Sequence, residues 1–541
     1  MNEQELNIDP LNEDLKDRED LIRAIETIIQ LYTDKVHFIY ELLQNAEDSK
    51  ATKVSFAMFE DRLEVLHNGE PFTKENLTSI RSIALTTKTD QVNAIGKFGV
   101  GFKSVFGICK DVIICSDKNN YKDQNNNYLE NFIYKIKDFR YLEDVEKDRK
   151  SGIKWPDDKY TTKFIFPFCV SEKYSGYKEM ETLHEKLSSR LKKLGTSVLL
   201  FMRNIKEISY SVEGLDEKLN CHGTYSLKKD NIEKNSFKIT ATGDKEIDNI
   251  SYLLFSRPTR YKKDVNIAFA CRWNENSNPI FYPAPEKNIC VYFPTDTPSN
   301  VNFVVQAPYG TTPNRGGIPD TDENKYLNNE LATLLYDAII EIKDKKWLTL
   351  EFINLLPYKA MGNKDDWSLY DLYEKTIQLL KEEPVIPCID GSYITANEAK
   401  IVRGKKLINL FKDEQLGKFI KQPGAKWLSE EFTKDNFSEL YDFFTEIKDK
   451  GGLDIKIINP DYLPQLIENN PEFLKEADDD WLKDFYSYLY RNVIHLLGKN
   501  SKLATVPFIK TTDGNINTLY KVNKENQLEI NIYLKPTNFS A

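Results

Sequence analysis

The sequence predicts an α+β protein of several domains, and three observations predict it. The chain has 541 residues, more than one hydrophobic core accommodates at about 100–200 residues per domain. Helical and strand periodicities alternate through the first third, and strand-like runs then gather in the middle. Beyond Asp344 the pattern is mostly helical and rich in Lys, Asp and Glu. These shifts divide the chain into residues 1–194, 195–343 and 344–541. Hydrophobic residues at 40% and aromatics at 12% are enough for real cores, while 29% charged residues describe a well-hydrated surface.

The first elements come from spacing. Leu21, Ile22, Ile25, Ile28 and Ile29 recur at helical intervals, which predicts an amphipathic helix over 21–31. A second helix follows in VHFIYELLQNAEDSK, with Val36, Ile39, Leu42, Leu43 and Ala46 on its buried face. Glu41, Asn45 and Asp48 stand at i, i+4 and i+7 and form one polar stripe; taken alone, such a stripe is most simply a solvated face. Val54, Phe56 and Met58 alternate, Glu60-Asp61 turns the chain, and Leu63, Val65 and His67 alternate again, which reads as a β-hairpin ending in HNGEPFT. Thr73 can cap a helix carrying Leu77, Ile80 and Ala84, and a polar loop spans residues 85–94.

That loop leads into IGKFGVGFKSVFGICKDVIICSD. Gly96, Gly99 and Gly101 let the backbone approach a ligand closely, and a helix starting near Phe102 would turn free N–H groups toward an anion. Glycine clusters alone are often only turns. A glycine loop placed after a helix with a Glu/Asn/Asp stripe and a hairpin is a more specific arrangement.

In order, ELLQNAED, LEVLHNGEPFT and IGKFGVGFKSVF resemble the Bergerat ATP-binding fold of the GHKL superfamily, most of all its heat-shock-chaperone branch and sacsin-like relatives. The resemblance spans about residues 35–117 and implies an N-terminal two-layer α/β sandwich that binds ATP with Mg2+. It implies that Glu41 is the general base for hydrolysis, that Asn45 is the magnesium ligand, and that Asp48 supports them. Gly96, Gly99, Val100, Gly101 and Phe102, with Lys97 and Phe98 in the same loop, would line the phosphates through backbone amides. Lys88 and Lys97 are candidate charge partners, with ordinary surface lysines as the competing reading.

One motif departs from the family. Where DxGxG is usual, this sequence has His67, Asn68, Gly69, Glu70 and Pro71, so His67 replaces the aspartate that accepts from the adenine amino group and the second glycine is absent. The Asn68 amide could serve the base instead, although an amide can rotate to suit guanine. The strand TTKFIFPF resembles the closing GTKxxLxL strand, with Thr162 on the adenine side or simply a β-branched strand residue.

Runs such as SVLLFMRNIKEISYSV, SYLLFSRPTR, NIAFACRW, ICVYFPT and NFVVQAPY, plus a helix after Asn324, predict an α/β middle domain in the position of the family's transducer. Arg315, in APYGTTPNRGGIP, would be a cis arginine finger or a surface turn residue. The last region contains two similar segments, around Pro387 and Pro507, each with an apolar strand, an Asp-Gly turn and a second strand, which predict small hairpin modules for recognition or scaffolding. The chain ends soon after a strand-like LEINIYLKP, which suits a longer natural protein.

The net charge of -10 argues against a global field for nucleic acid or anionic lipid and leaves only local patches such as residues 260–263 or 403–406. Seven cysteines without CxxC spacing and five histidines without metal spacing argue against a disulfide framework or zinc site. An acidic, polar start and no long apolar run predict a cytoplasmic protein without membrane contact. The expected function is an ATPase whose closure drives a chaperone-like or antiviral-defence activity on a protein client, with homodimerisation an option. A nucleotide-gated binding module and a GHKL protein kinase are the alternatives.

Overall fold

Period-two alternation becomes strand pairing in the computed structural model of the chain. It describes residues 38–73, 76, 101–116, 132–137, 141–144, 157, 159–168, 177–192, 194, 196–214, 217–229, 232–243, 247–312, 316–359, 369–402, 404–447, 451–492, 502–511, 513–524 and 528–530. Strands β1 (Lys53–Met58) and β2 (Arg62–His67) form the expected antiparallel hairpin, with Phe56 opposite Val65 and Met58 opposite Leu63. The Phe59 N–H donates to the Arg62 carbonyl across the turn. Alternate residues on both strands are buried, so a one-residue slip would turn an entire apolar set outward, and the register is fixed.

The chain divides into two compact units, Met1–Leu335 with Met361–Leu369 and Tyr336–Ala360 with Tyr370–Ala541. The first unit is a mixed α/β structure around one 15-stranded sheet. Its site-bearing part is β1, β2, β3 (Val112–Ser116), β4 (Phe132–Lys137), β5 (Tyr141–Asp144) and β6 (Thr162–Pro167). The order runs β7-β1-β2-β6-β3-β4-β5, and β7 (Glu207–Val212) lies parallel to β1 with Val54 opposite Ile208. The strands on either side of residue 195 therefore share one sheet, which continues through β8 (Cys221–Lys229), β9 (Ser236–Gly243), β10 (Ile247–Pro258) and β11 (Asp264–Trp273).

Helix α1 (Phe38–Asp48) lies against this sheet and buries Phe38, Ile39, Leu42, Leu43 and Ala46 in the same core as Phe56, Val65, Phe164 and Phe166. The Tyr40 ring packs tilted at 5.0 Å against Phe293, the first residue of strand Phe293–Pro298, so α1 also touches the far half of the sheet. One expectation is corrected: SVLLF is not a strand, since Thr196–Phe201 forms a 3-10 helix whose Val198, Leu199 and Leu200 are all buried. A short all-apolar run carries no period and cannot separate the two conformations.

The second unit carries helices, among them Tyr370–Glu382 and Asp479–Asn492, and small sheets. Both similar segments fold as hairpins, Ile386–Pro387 with Tyr393–Ile394 and Pro507–Lys510 with Ile516–Thr518. The glycine of each Asp-Gly pair takes a left-handed φ, 79° at Gly391 and 80° at Gly514, which a side chain would resist. A parallel sheet of Ala399–Val402 with Lys426–Trp427 and Lys456–Ile458, not expected from the sequence, lies between those hairpins along the chain. No helix among the described residues is long and apolar enough to cross a membrane.

Candidate functional site

Helix α1 exposes little of itself, and what it exposes is the predicted stripe. Tyr40, Gln44 and Glu47 are buried along with the apolar face, whereas Glu41, Asn45 and Asp48 are half-buried. A helix held on most sides with one acidic and amide stripe partly open is poorly described as a solvated surface helix. The helix packs directly against the 3-10 segment Gly101–Gly107, which begins at the last glycine of the sequence loop. Phe102, Val105 and Phe106 anchor that segment in the core, with the Phe102 ring 5.7 Å from Phe164 and 6.3 Å from Phe166.

The HNGEPF turn is fixed by hydrogen bonds at nearly every step. Asn68 Oδ1 accepts from Thr52 N–H and Lys53 N–H, both at 2.8 Å, and its Nδ2 donates to Thr52 Oγ1 at 2.8 Å. The amide assigned to base recognition from sequence is thus engaged in closing the α1–β1 turn. Gly69 sits so close to the end of α1 that an added Cβ would collide with the Ser49 carbonyl, and the Glu70 N–H donates to that same carbonyl. Its glycine requirement therefore comes from packing of the turn on the helix end. Phe72 N–H donates to Thr162 Oγ1 at 3.2 Å, and its carbonyl accepts from Ser116 Oγ at 2.8 Å. Thr161 Oγ1 donates to the Gly69 carbonyl.

His67 ends β2 on the inward face that Leu63 and Val65 share, opposite Thr162 in β6. Its ring is 3% exposed and lies 6.1 Å from Phe164. The Gly69 N–H donates to Nδ1 at 3.2 Å. Burial pushes the imidazole down to about 4, so the ring is neutral at pH 7, with its proton on Nε2 because Nδ1 is accepting.

Glu47 is the residue sequence reasoning missed. Its 3%-exposed carboxylate accepts from three successive main-chain N–H groups: Arg203 and Asn204 at 2.8 Å on Oε1, and Ile205 at 2.9 Å on Oε2. Asn204 Nδ2 adds a fourth bond at 3.0 Å. This staple ties the end of α1 to the chain entering β7. On the opposite side of the strands, Glu64 pairs with Lys163 and Arg62 at 2.8 Å each. Burial alone would raise the Glu64 carboxyl, but the bonds from Lys163 and Arg62 hold it below the usual carboxylate range.

The structure therefore packs α1, which carries Glu41, Asn45 and Asp48, against the segment that opens with Gly101 and Phe102, sets Gly69 against the end of α1, and pairs His67 with Thr162. Lys88, Gly96, Lys97, Phe98, Gly99, Val100 and Arg315 lie outside the described residues. The stem of the Arg315 loop is described: the Asn324 side chain bridges Gly310 and the Pro319 carbonyl, and Thr312 N–H donates to the Gly317 carbonyl.

The arrangement defines a mixed α/β sheet protein whose stripe-bearing helix packs against a glycine-led turn. Residues 18–220, which hold all of these features except the Arg315 loop, match the family model of the Sacsin domain. The chain is 25% identical over 336 residues to Protein NO VEIN of Arabidopsis thaliana, a match covering 59% of this chain and 12% of that protein. It is 25% identical over 225 residues to Sacsin of Homo sapiens, covering 36% of this chain and 5% of that protein. The matches span a small fraction of these relatives' length, and together they support the sacsin-like resemblance of the N-terminal motifs.

Proposed function

We propose that the chain binds ATP with Mg2+ in a Bergerat-type GHKL pocket and hydrolyses it. One observation carries the reading: the half-buried Glu41–Asn45–Asp48 stripe lies on a helix that packs directly against the segment opening at Gly101. The donor set suits the group. An amide oxygen such as that of Asn45 is a hard ligand for magnesium, and main-chain N–H groups at Gly101 and Phe102 are of the type that holds phosphate oxygens. Magnesium, when bound, neutralises charge on the phosphates.

The Glu41 carboxylate orients the attacking water and takes its proton, while Asp48, one turn on, supports the same face of the helix. The apolar layer of Phe102, Phe164 and Phe166 limits water behind the site. Arg315, Lys88 and Lys97 join this reading as phosphate partners from loops. Nucleotide-dependent closure then drives a chaperone-like or defence-related activity on a protein client, with a homodimer as the assembly in which closure is completed.

Phosphate release from ATP and Mg2+ by the purified chain tests the reading. Glu41→Ala is expected to lower turnover on the order of 100-fold with nucleotide affinity retained, and chelation of magnesium to abolish it. Transfer of the γ-phosphoryl group to protein would favour a kinase, and binding with negligible turnover a nucleotide-gated module.

A further inference from the structure

We infer that α1 carries a second, buried stripe, Tyr40, Gln44 and Glu47, which fixes the rotation of the helix and so aims the open stripe beside it, with Tyr40 the positioning residue for Glu41. The consequence for turnover rests on the hydrolysis reading above; the aiming of the helix rests on contacts alone.

Tyr40, Gln44 and Glu47 stand at i, i+4 and i+7, each one residue before a member of the Glu41, Asn45 and Asp48 stripe. The two stripes therefore run side by side, about 100° apart around the helix axis. The three residues of the first are only 3%, 2% and 3% exposed. Polar side chains buried along one line of a helix are costly without partners, and the outer two reach different elements. Tyr40 packs its ring at 5.0 Å against Phe293 and carries the Arg190 guanidinium 5.5 Å above the ring centre. Arg190, in the last turn of helix Tyr177–Lys192, also donates from Nη1 to the Tyr40 hydroxyl at 3.4 Å. Glu47, two turns further on, holds residues 203–205 through its four bonds.

A third element runs alongside. The turn between strands Asn288–Val291 and Phe293–Pro298 consists of Tyr292, which is buried at a φ of 63°, a left-handed conformation that a bulky residue adopts only under constraint. Burial pushes its phenol up, Arg203 pulls it down, and Asp264, Asp48 and Glu47 push it further up. The Tyr292 ring is thus within electrostatic reach of the last turn of α1, while Phe293, the next residue, meets the Tyr40 ring in the first. A helix held at one point can roll about its axis; one held on a single face at two points about 10 Å apart cannot. A carboxylate stands about 6 Å from its helix axis, so a roll of about 20° would carry it about 2 Å. Misplacement of a reacting group by about 1 Å costs on the order of 100-fold in rate, so loosening at Tyr40 is felt at Glu41.

Two measurements on the full chain decide it. In Tyr40→Leu, which removes the ring and the hydroxyl, kcat for ATP with Mg2+ is expected to fall about tenfold or more while KM stays within about threefold, and Tyr40→Phe, which keeps the ring, to recover most of the loss. Ile239→Ala, a buried deletion in β9, a strand that supplies none of these contacts, controls for lost stability and is expected to leave kcat within about twofold. The second measurement needs no nucleotide. Alkylation of the thiol in Asn45→Cys, located by mass spectrometry, reports how the open stripe faces, and its rate is expected to change about threefold or more when Tyr40→Leu is added and to hold when Ile239→Ala is added. Where Tyr40→Leu does not fold, Arg190→Met loosens the same anchor from a half-buried position and is expected to move both readouts in the same direction by about threefold. An unchanged labelling rate in the folded variant would overturn the inference, as would a wild-type kcat there. Absence of turnover in the wild type would instead remove the hydrolysis reading and leave labelling to decide the aiming of α1.

Discussion

The two units bury polar groups for different ends. In the first, buried or half-buried Glu47, His67, Ser116, Thr161 and Thr162 gather where α1, the HNGEPF turn and β6 meet, and their bonds fix main chain around one small region. In the second, two buried indoles bond from within aromatic packing. Trp427 Nε1 donates to the Phe411 carbonyl at 2.6 Å and Trp481 Nε1 to the Leu410 carbonyl at 2.7 Å, inside a cluster of Phe411, Phe419, Phe473 and Phe485. Hydrogen bonds that converge on turns and a helix end fix the main chain around the candidate site, while indole bonds spread through an aromatic cluster hold a packed core together.

The contrast breaks most sharply at Glu47. Glu47→Ala leaves three main-chain N–H groups, that of Ile205 buried and those of Arg203 and Asn204 partly so, without their acceptor and is expected to destabilise the protein by about 3–5 kcal/mol. Urea unfolding checks this, with Glu47→Gln retaining part of the loss because its amide oxygen still accepts; a change under about 1 kcal/mol for Glu47→Ala would mean the staple is dispensable.

A somewhat smaller effect is expected from pH. His67 sits at about 4 in the fold against 6.5 unfolded, so its neutral form contributes fully above about pH 6.5. As pH falls from about 6.5 toward 4 the unfolded chain binds a proton that the folded chain refuses, and roughly 3 kcal/mol is lost. His184, which burial also lowers, acts in the same direction. Stability curves of wild type and His67→Phe isolate the His67 share: the variant's slope across this window should be visibly flatter.

Much of the site was legible because its signals are local. The β1–β2 register follows from Val54, Phe56, Met58, Leu63 and Val65, and the Glu41, Asn45 and Asp48 stripe from helical spacing. The Asp-Gly pairs at 390–391 and 513–514 likewise announced their hairpins. Glu47 was illegible because its partners lie 156 to 158 residues further along the chain. Parallel pairing of β1 with β7 was hidden for the same reason: no local pattern names a partner strand on the far side of α2 (Tyr177–Lys192). Asn68 shows another non-local bond: its motif position suggests a ligand contact, and Thr52 and Lys53, 16 and 15 residues earlier, hold the amide oxygen.

The smallest expected effect sharpens the comparison from the scaffold side. Trp481→Phe deletes an indole N–H that donates to the Leu410 carbonyl at 2.7 Å and trims a ring stacked at 5.1 Å on Phe485. The carbonyl left behind has a second lone pair and tolerates under-satisfaction better than a buried N–H, so the loss should be about 1–2 kcal/mol, well below that for Glu47→Ala. If the second unit is scaffold, this loss appears in unfolding while the proposed affinity for ATP stays within about twofold of wild type, since Trp481 makes none of the contacts that hold α1 or the HNGEPF turn. An affinity loss of tenfold or more from Trp481→Phe would mean that the aromatic cluster helps form the site, and the division of labour between the two units would have to be redrawn.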